Sequence, residues 1–153
     1  ERLEDRICLS AVPNWAVAEG GPDRDYAQAV VTDNDGNSYA GLRIRNVDET
    51  YDIVVVKYDA AGQLERSQTL LQAGPDGSGR GLKLALDDAG NLYAAGYFDG
   101  TVDLNPSDPG AELVSRGEDD VFITKYAADG QLLWTEQFGG PADDRVGDMV
   151  IST

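Results

Sequence analysis

One phrase of this chain is written twice. Asp120-Val-Phe-Ile-Thr-Lys-Tyr-Ala-Ala-Asp-Gly-Gln-Leu132 repeats Asp52-Ile-Val-Val-Val-Lys-Tyr-Asp-Ala-Ala-Gly-Gln-Leu64. A second pair precedes these: Asp33-Asn-Asp-Gly-Asn-Ser-Tyr-Ala40 and Asp87-Asp-Ala-Gly-Asn-Leu-Tyr-Ala94. A chain with an internal period of this length folds as stacked copies of one supersecondary unit, which constrains its architecture more than any composition does.

Each copy reads as four short strands. In the first these are 26–32, 38–44, 53–58 and 64–71, in the second 81–86, 92–98, 121–126 and 132–138, so that the repeats span about 26–71 and 80–138. The segments are dense in Val, Ile, Leu and Tyr and are parted by Gly, Asn, Asp and Pro, the signature of an all-β fold. Asp33–Asn37 and Asp87–Asn91 read as tight hairpin turns, where Gly and Asn accept the positive φ such turns need. Residues 45–51 read as a polar loop.

The spacing locates an insertion. Gly36 and Gly90 lie 54 positions apart, Lys57 and Lys125 lie 68 apart. The extra residues fall between the second and third strands of the second repeat, in 99–119, expected to be a long and mobile loop. Four antiparallel strands per unit of about fifty residues is the pattern of a β-propeller blade. Ile53-Val-Val-Val56 is apolar without alternation, as expected of a strand buried on both faces. Ala40-Gly41 and Ala94-Ala-Gly96 then read as sites where neighbouring blades approach closely.

Outside the two repeats, residues 1–13 form a charged, then apolar N-terminal segment, and 14–153 form the repeat domain. Trp15-Ala-Val-Ala18 followed by Gly20-Gly-Pro22 matches Trp134 to Phe138 followed by Gly139-Gly-Pro141, so it reads as an orphan fourth strand. Residues 146–152 read as the orphan first strand of a third repeat. Two whole blades do not close a ring, since propellers use about four to eight. Further blades of the same chain, or self-association, are expected to complete it, and the lack of a starting Met points to a piece of something longer.

Composition narrows the chemistry. The chain has 153 residues, 28 acidic against 12 basic, for a net charge of −16. That excess argues against nucleic acid as a partner, because phosphate binding needs clustered Lys and Arg. No apolar run is long enough to span a membrane as a helix. There is no histidine, which removes Ser-His-Asp chemistry from this chain. The single cysteine, Cys8, permits no intrachain disulfide.

The repeat resembles a known family. The pattern Asp-x-x-Gly-Asn-x-Tyr … Gly, then Asp-x-Phe-x-x-Lys-Tyr-x-x-x-Gly-x-Leu-x-Trp, then Phe-Gly-Gly looks like the bacterial SBBP β-propeller repeat. It is carried by Asp87, Gly90, Asn91, Tyr93, Gly96, Asp120, Phe122, Lys125, Tyr126, Gly130, Leu132, Trp134, Phe138, Gly139 and Gly140. The inserted Gly100-Thr-Val-Asp-Leu-Asn-Pro-Ser-Asp-Pro-Gly110 also resembles a loop of that family. Residues 26–71 match more weakly, with Arg66 in place of the Trp. Residues 3–9 resemble the LEPR-x-L-L motif found near the N-terminus of large exported bacterial proteins, with Asp5 where Pro is usual. The resemblance implies an extracellular or cell-surface, many-bladed bacterial protein with no catalytic residues to transfer. The export signal itself is not in this chain.

The expected function is a non-catalytic structural or binding scaffold for protein or glycan. The alternative is part of a propeller enzyme with a carboxylate-lined site at the channel mouth. No organic cofactor is expected. For calcium, the oxygen-rich loop with Asp103, Asn105, Ser107 and Asp108 is the candidate, since Ca²⁺ takes carboxylate and amide oxygens. For the Asp-Gly-Asn turns a hairpin suffices. Lys57 and Lys125, at matching positions, are expected to pack their stems and reach an Asp or the rim rather than act in catalysis. Trp15, Trp134, Tyr39 and Tyr93 are expected to pack between blades rather than stack on sugars.

Overall fold

A computed structural model describes residues 16, 18–20, 24–107, 110 and 112–152. Among them the chain is all-β, with no helix and therefore none long and apolar enough to cross a membrane. Four strands follow one another through the first repeat: β1 (Tyr26–Thr32), β2 (Ser38–Arg45), β3 (Tyr51–Tyr58) and β4 (Leu64–Ala73). In the second repeat come β5 (Ser78–Leu86), β6 (Leu92–Asp99), β7 (Thr101–Asp103), β8 (Glu112–Val114), β9 (Asp120–Tyr126) and β10 (Leu132–Phe138). They form two antiparallel sheets: sheet 1 in the order β1-β2-β3-β4-β7-β8, and sheet 2 in the order β10-β9-β6-β5.

The hairpins share one turn. In each of the segments Asp33–Asn37, Asp59–Gln63, Asp87–Asn91 and Ala127–Gln131, the first N–H donates to the fifth carbonyl and the fourth N–H to the first. The fourth residue is Gly36, Gly62, Gly90 or Gly130, each with φ between 77° and 93°. This is the three-residue hairpin with a glycine in the left-handed region. Asn46–Thr50 has the same hydrogen bonds but places Glu49 there, at φ 73°. The expected polar loop at 45–51 is thus a tight β2–β3 turn.

Register fixes which side chains share a face. Tyr39 pairs with Lys57, Gly41 with Val55 and Arg43 with Ile53. Because side chains alternate along a strand, this set faces one way and Ala40, Leu42, Val54, Val56 and Tyr58 the other. In sheet 2, Leu92, Ala94, Gly96 and Phe98 pair with Tyr126, Thr124, Phe122 and Asp120 and face sheet 1. The main core lies between the sheets and joins Tyr39, Ile53, Val55, Leu70 and Leu71 to Leu82, Leu84, Phe98, Phe122 and Tyr126. Leu42, Val56 and Tyr58 form a second cluster on the opposite face of sheet 1, where the Tyr58 hydroxyl donates to the Glu19 carboxylate. So β3 does bury residues on both faces, as its unbroken apolar run requires.

The close approach expected at Gly41 is present between the sheets: a Cβ there would lie 2.4 Å from a methyl of Leu82. Gly96 serves a different need, since its Cβ would collide with the Phe122 ring in its own sheet.

Three expectations change. The insertion 99–119 is not only a loop. It forms the β7–β8 hairpin, which adds to the edge of the other repeat through Gln72 opposite Asp103 and Ala73 opposite Val102. Val102 and Leu104 are buried in the core, so hydrophobic anchoring holds a segment that its polar residues and prolines mark as a loop. Residues 146–152 form no strand. Their neighbours are instead held by side chains, with Arg145 bonded to Asp119 and lying over the Tyr97 ring. Trp134 is not in the core: it sits on the outward face of β10 and is 41% exposed. The expected Trp15 strand, the LEPR-like motif and Cys8 lie outside the described residues.

Candidate functional site

A cavity of about 350 Å³ opens where the two repeated turns meet side by side. One wall is Asp33 to Asn37 from the β1–β2 turn, the other Leu86 to Gly90 from the β5–β6 turn, with Tyr39, Lys57 and Ala128 beneath. The sequence puts these residues together because the same turn, in two stacked copies, ends at the same height.

The carboxylates divide into two kinds. Asp33 is committed to its own turn. One oxygen accepts the N–H groups of Asp35 and Asn37 at 3.0 and 2.9 Å, and the other accepts the Asn37 amide at 2.9 Å. Burial pushes the Asp33 carboxyl up, but these bonds together outweigh it and hold its pKa below the ordinary value. Asp87 repeats the arrangement with Ala89 and Asn91. The Asn91 amide, with the Asn91 N–H and the Lys125 ammonium, brings Asp87 down to about 2. Asp35 and Asp88 stand exposed on the two lips of the cleft.

The lysines are also occupied. Lys57 reaches Glu65 at 2.6 Å beside the Tyr39 ring. Lys125 reaches Asp87 at 3.2 Å and lies 4.7 Å from the centre of the Tyr93 ring. The Glu65 bond raises the pKa of Lys57, and the Tyr93 contact with Asp87 raises that of Lys125. Both ammonium groups therefore stay protonated near neutral pH, which unsuits them as nucleophiles or bases. The expectation that each ammonium reaches an Asp or the rim describes Lys125, on Asp87, whereas Lys57 turns to Glu65 of β4. The cleft offers ionised carboxylates and hydrogen-bond acceptors. Asp33 and Asp87, both held below the ordinary carboxylate value by their turns, are poorly placed to act as general acids.

The candidate calcium loop lies elsewhere, at the end of the β7–β8 hairpin. Asp103 accepts the Asn105 N–H at 2.8 Å and Asn105 accepts the Ser107 hydroxyl at 2.9 Å. Asp108 lies outside the described residues. Among those described, no three His, Cys, Asp or Glu side chains are grouped so as to hold a metal ion. What the sequence did not signal is the cleft itself. Each turn was legible, but their juxtaposition depends on how the sheets stack.

The fold and cleft define an all-β protein of two stacked antiparallel sheets with an acidic, turn-lined opening between them. No family model matches the chain. It is similar to the Regulatory protein FlaEY of Caulobacter vibrioides, at 32% identity over 93 residues, covering 61% of this chain and 9% of that protein. The chain thus spans less than a tenth of the length of this curated relative.

Proposed function

We propose that this chain is a segment of a bacterial, extracytoplasmic β-propeller and serves there as a non-catalytic scaffold that presents its turn-end cleft to a protein or glycan. The observation that carries this reading is the equivalence of the two sheets. Their first strands, β1 and β5, lie against one another, with β5 also reaching β2 and β3; from each first strand the sheet runs through its repeat in order, and sheet 1 ends on the inserted β7–β8 hairpin. Two sheets that start from adjoining first strands and pack face to face support a reading as neighbouring propeller blades. The SBBP-like pattern of residues 87–140 supports the same reading. Recurrence of the Tyr-Lys-carboxylate cluster in both repeats supports a scaffold over an enzyme, because an active site is built once rather than per repeat.

The test exposes the chain to a glycan array and to a panel of extracellular proteins, beside substrates for glycosidases, esterases and phosphatases. The reading predicts a retained ligand, loss of that ligand in the Asp35→Ala/Asp88→Ala double variant, and no turnover. Turnover above a buffer control contradicts the scaffold role. Retention indifferent to the double variant contradicts the cleft as its site.

A further inference from the structure

The outward face of β10 has a buried counterpart within the same chain. Phe138 corresponds to Leu70 and Trp134 to Arg66, each 68 positions earlier, at the spacing of Lys57 and Lys125. Leu70 is 1% exposed, whereas Phe138 is 52% exposed. Sheet 2 makes the difference. Tyr126 of β9 lies against Leu70 and donates its hydroxyl to the Leu70 carbonyl. The β9–β10 turn sits on β4, where Arg66 donates to the Ala128 carbonyl and Gln68 to the Gly130 carbonyl. On sheet 2 the corresponding residues Trp134, Glu136 and Phe138 share one face with Ile123 and Val121, by the pairing of β10 with β9, and Trp134, Glu136 and Phe138 are exposed.

We infer that the Trp134–Phe138 face is a docking surface for one more four-stranded sheet of this same repeat, seated as sheet 2 is seated on sheet 1. This rests on the propeller reading and extends it to a defined interface. The occupant's chemistry follows from the existing interface. It presents an apolar face equivalent to Leu92, Ala94 and Phe122, and a tyrosine equivalent to Tyr126 whose hydroxyl reaches the Phe138 carbonyl. Its third hairpin turn covers Trp134. The indole N–H is a single donor, so Trp134 can serve a turn carbonyl as Arg66 does. Glu136, where Gln68 donates, can only accept, so the occupant's turn offers a donor there. Burying this aromatic pair supplies the interface with a central apolar anchor.

The experiment extends the chain. Residues 1–152, with Trp15→Phe and Glu136→Gln, are followed by a second copy of residues 87–138 in which the copied tryptophan is Phe, so that residues 146–152, in the place of β5, supply the first strand of the added sheet. Trp134 is then the single tryptophan. Relative to the unextended chain, its emission is expected to shift to the blue and its quenching by acrylamide to fall several-fold, and Phe138→Glu is expected to abolish both changes. An unchanged Trp134 signal in a folded extended chain overturns the inference. Should the extension fail to fold, the unextended chain decides. It is expected to bind the dye ANS, and Trp134→Lys/Phe138→Lys to bind it several-fold less while still melting cooperatively within a few degrees of the parent chain. Dye binding that is absent, or equal in the variant, overturns the inference. Ligand binding at the cleft is read separately, so loss of either result leaves the other interpretable.

Discussion

The phenolic hydroxyl of Tyr126 donates to the main-chain carbonyl of Leu70 across the gap between the two sheets, at 3.3 Å. The same hydroxyl lies 3.1 Å from the carbonyl of Leu104 in the inserted segment. One buried side chain thereby ties β9, β4 and the insertion together. Burial raises its pKa well above the ordinary tyrosine value, so it remains a donor throughout the neutral range. Tyr126→Phe keeps the ring and removes only these bonds. The expected loss is about 1–2 kcal/mol, from leaving buried acceptors without a donor, read as a lower urea midpoint at unchanged slope. Stability equal to wild type would show that the sheets do not meet at this tyrosine.

The inserted hairpin is packed against Gly77 as well. A Cβ on Gly77 would stand 2.1 Å from the carbonyl oxygen of Thr101, a rigid main-chain atom. Gly77→Ala is expected to destabilise the protein by about 3 kcal/mol, the upper end of the usual cost of overpacking. Gly140→Ala meets nothing within 4 Å and should change stability by less than about 0.5 kcal/mol. Equal effects from the two, by chemical denaturation, would contradict the docking of β7–β8 on sheet 1.

Aromatic residues of one repeat carry unequal weight. Phe122 is fully buried, whereas Trp134 rests edge-on against Tyr93, with ring centres 6.1 Å apart. Phe122→Ala should cost about 3–5 kcal/mol and Trp134→Ala about 1 kcal/mol or less. A Trp134 cost as large as that of Phe122 would restore the core position expected from sequence.

Asp87 links stability to pH. Its folded pKa, about 2, lies below that of an unfolded Asp, near 3.9. A depressed folded pKa stabilises the native state fully above the unfolded value and is lost as pH falls through the folded one. The melting temperature should therefore drop between about pH 4 and about pH 2. The gap between wild type and Asp87→Asn should narrow over the same interval. A gap that is constant from neutral pH down to pH 2 would contradict the Asn91 and Lys125 contacts.

Much of this architecture is legible in the sequence, for reasons tied to particular residues. Gly36, Gly62, Gly90 and Gly130 mark four hairpins because only glycine takes the left-handed position freely. The β2–β3 hairpin is hidden because Glu49 holds that position, supported by the bonds Asp48 makes to Thr50. The insertion reads as loop because Val102 and Leu104 are two apolar residues among polar ones, and only the edge of β4 supplies the partner that makes them a hairpin. Trp134 reads as core because its repeat position is a packing position. Among the described residues its ring instead meets Tyr93 and solvent. The cleft at Asp33 and Asp87 is invisible to any local pattern, since its walls lie more than fifty residues apart.

Gly41 and Leu82 report the stacking of the two repeats most directly. The missing side chain of Gly41 leaves the space into which the Leu82 methyl projects. A strong nuclear Overhauser effect between the Gly41 α-protons and the Leu82 δ-methyls is predicted, with Gly41 protected from solvent. Absence of that effect in the folded chain, with Gly41 open to a soluble paramagnetic probe, would contradict it.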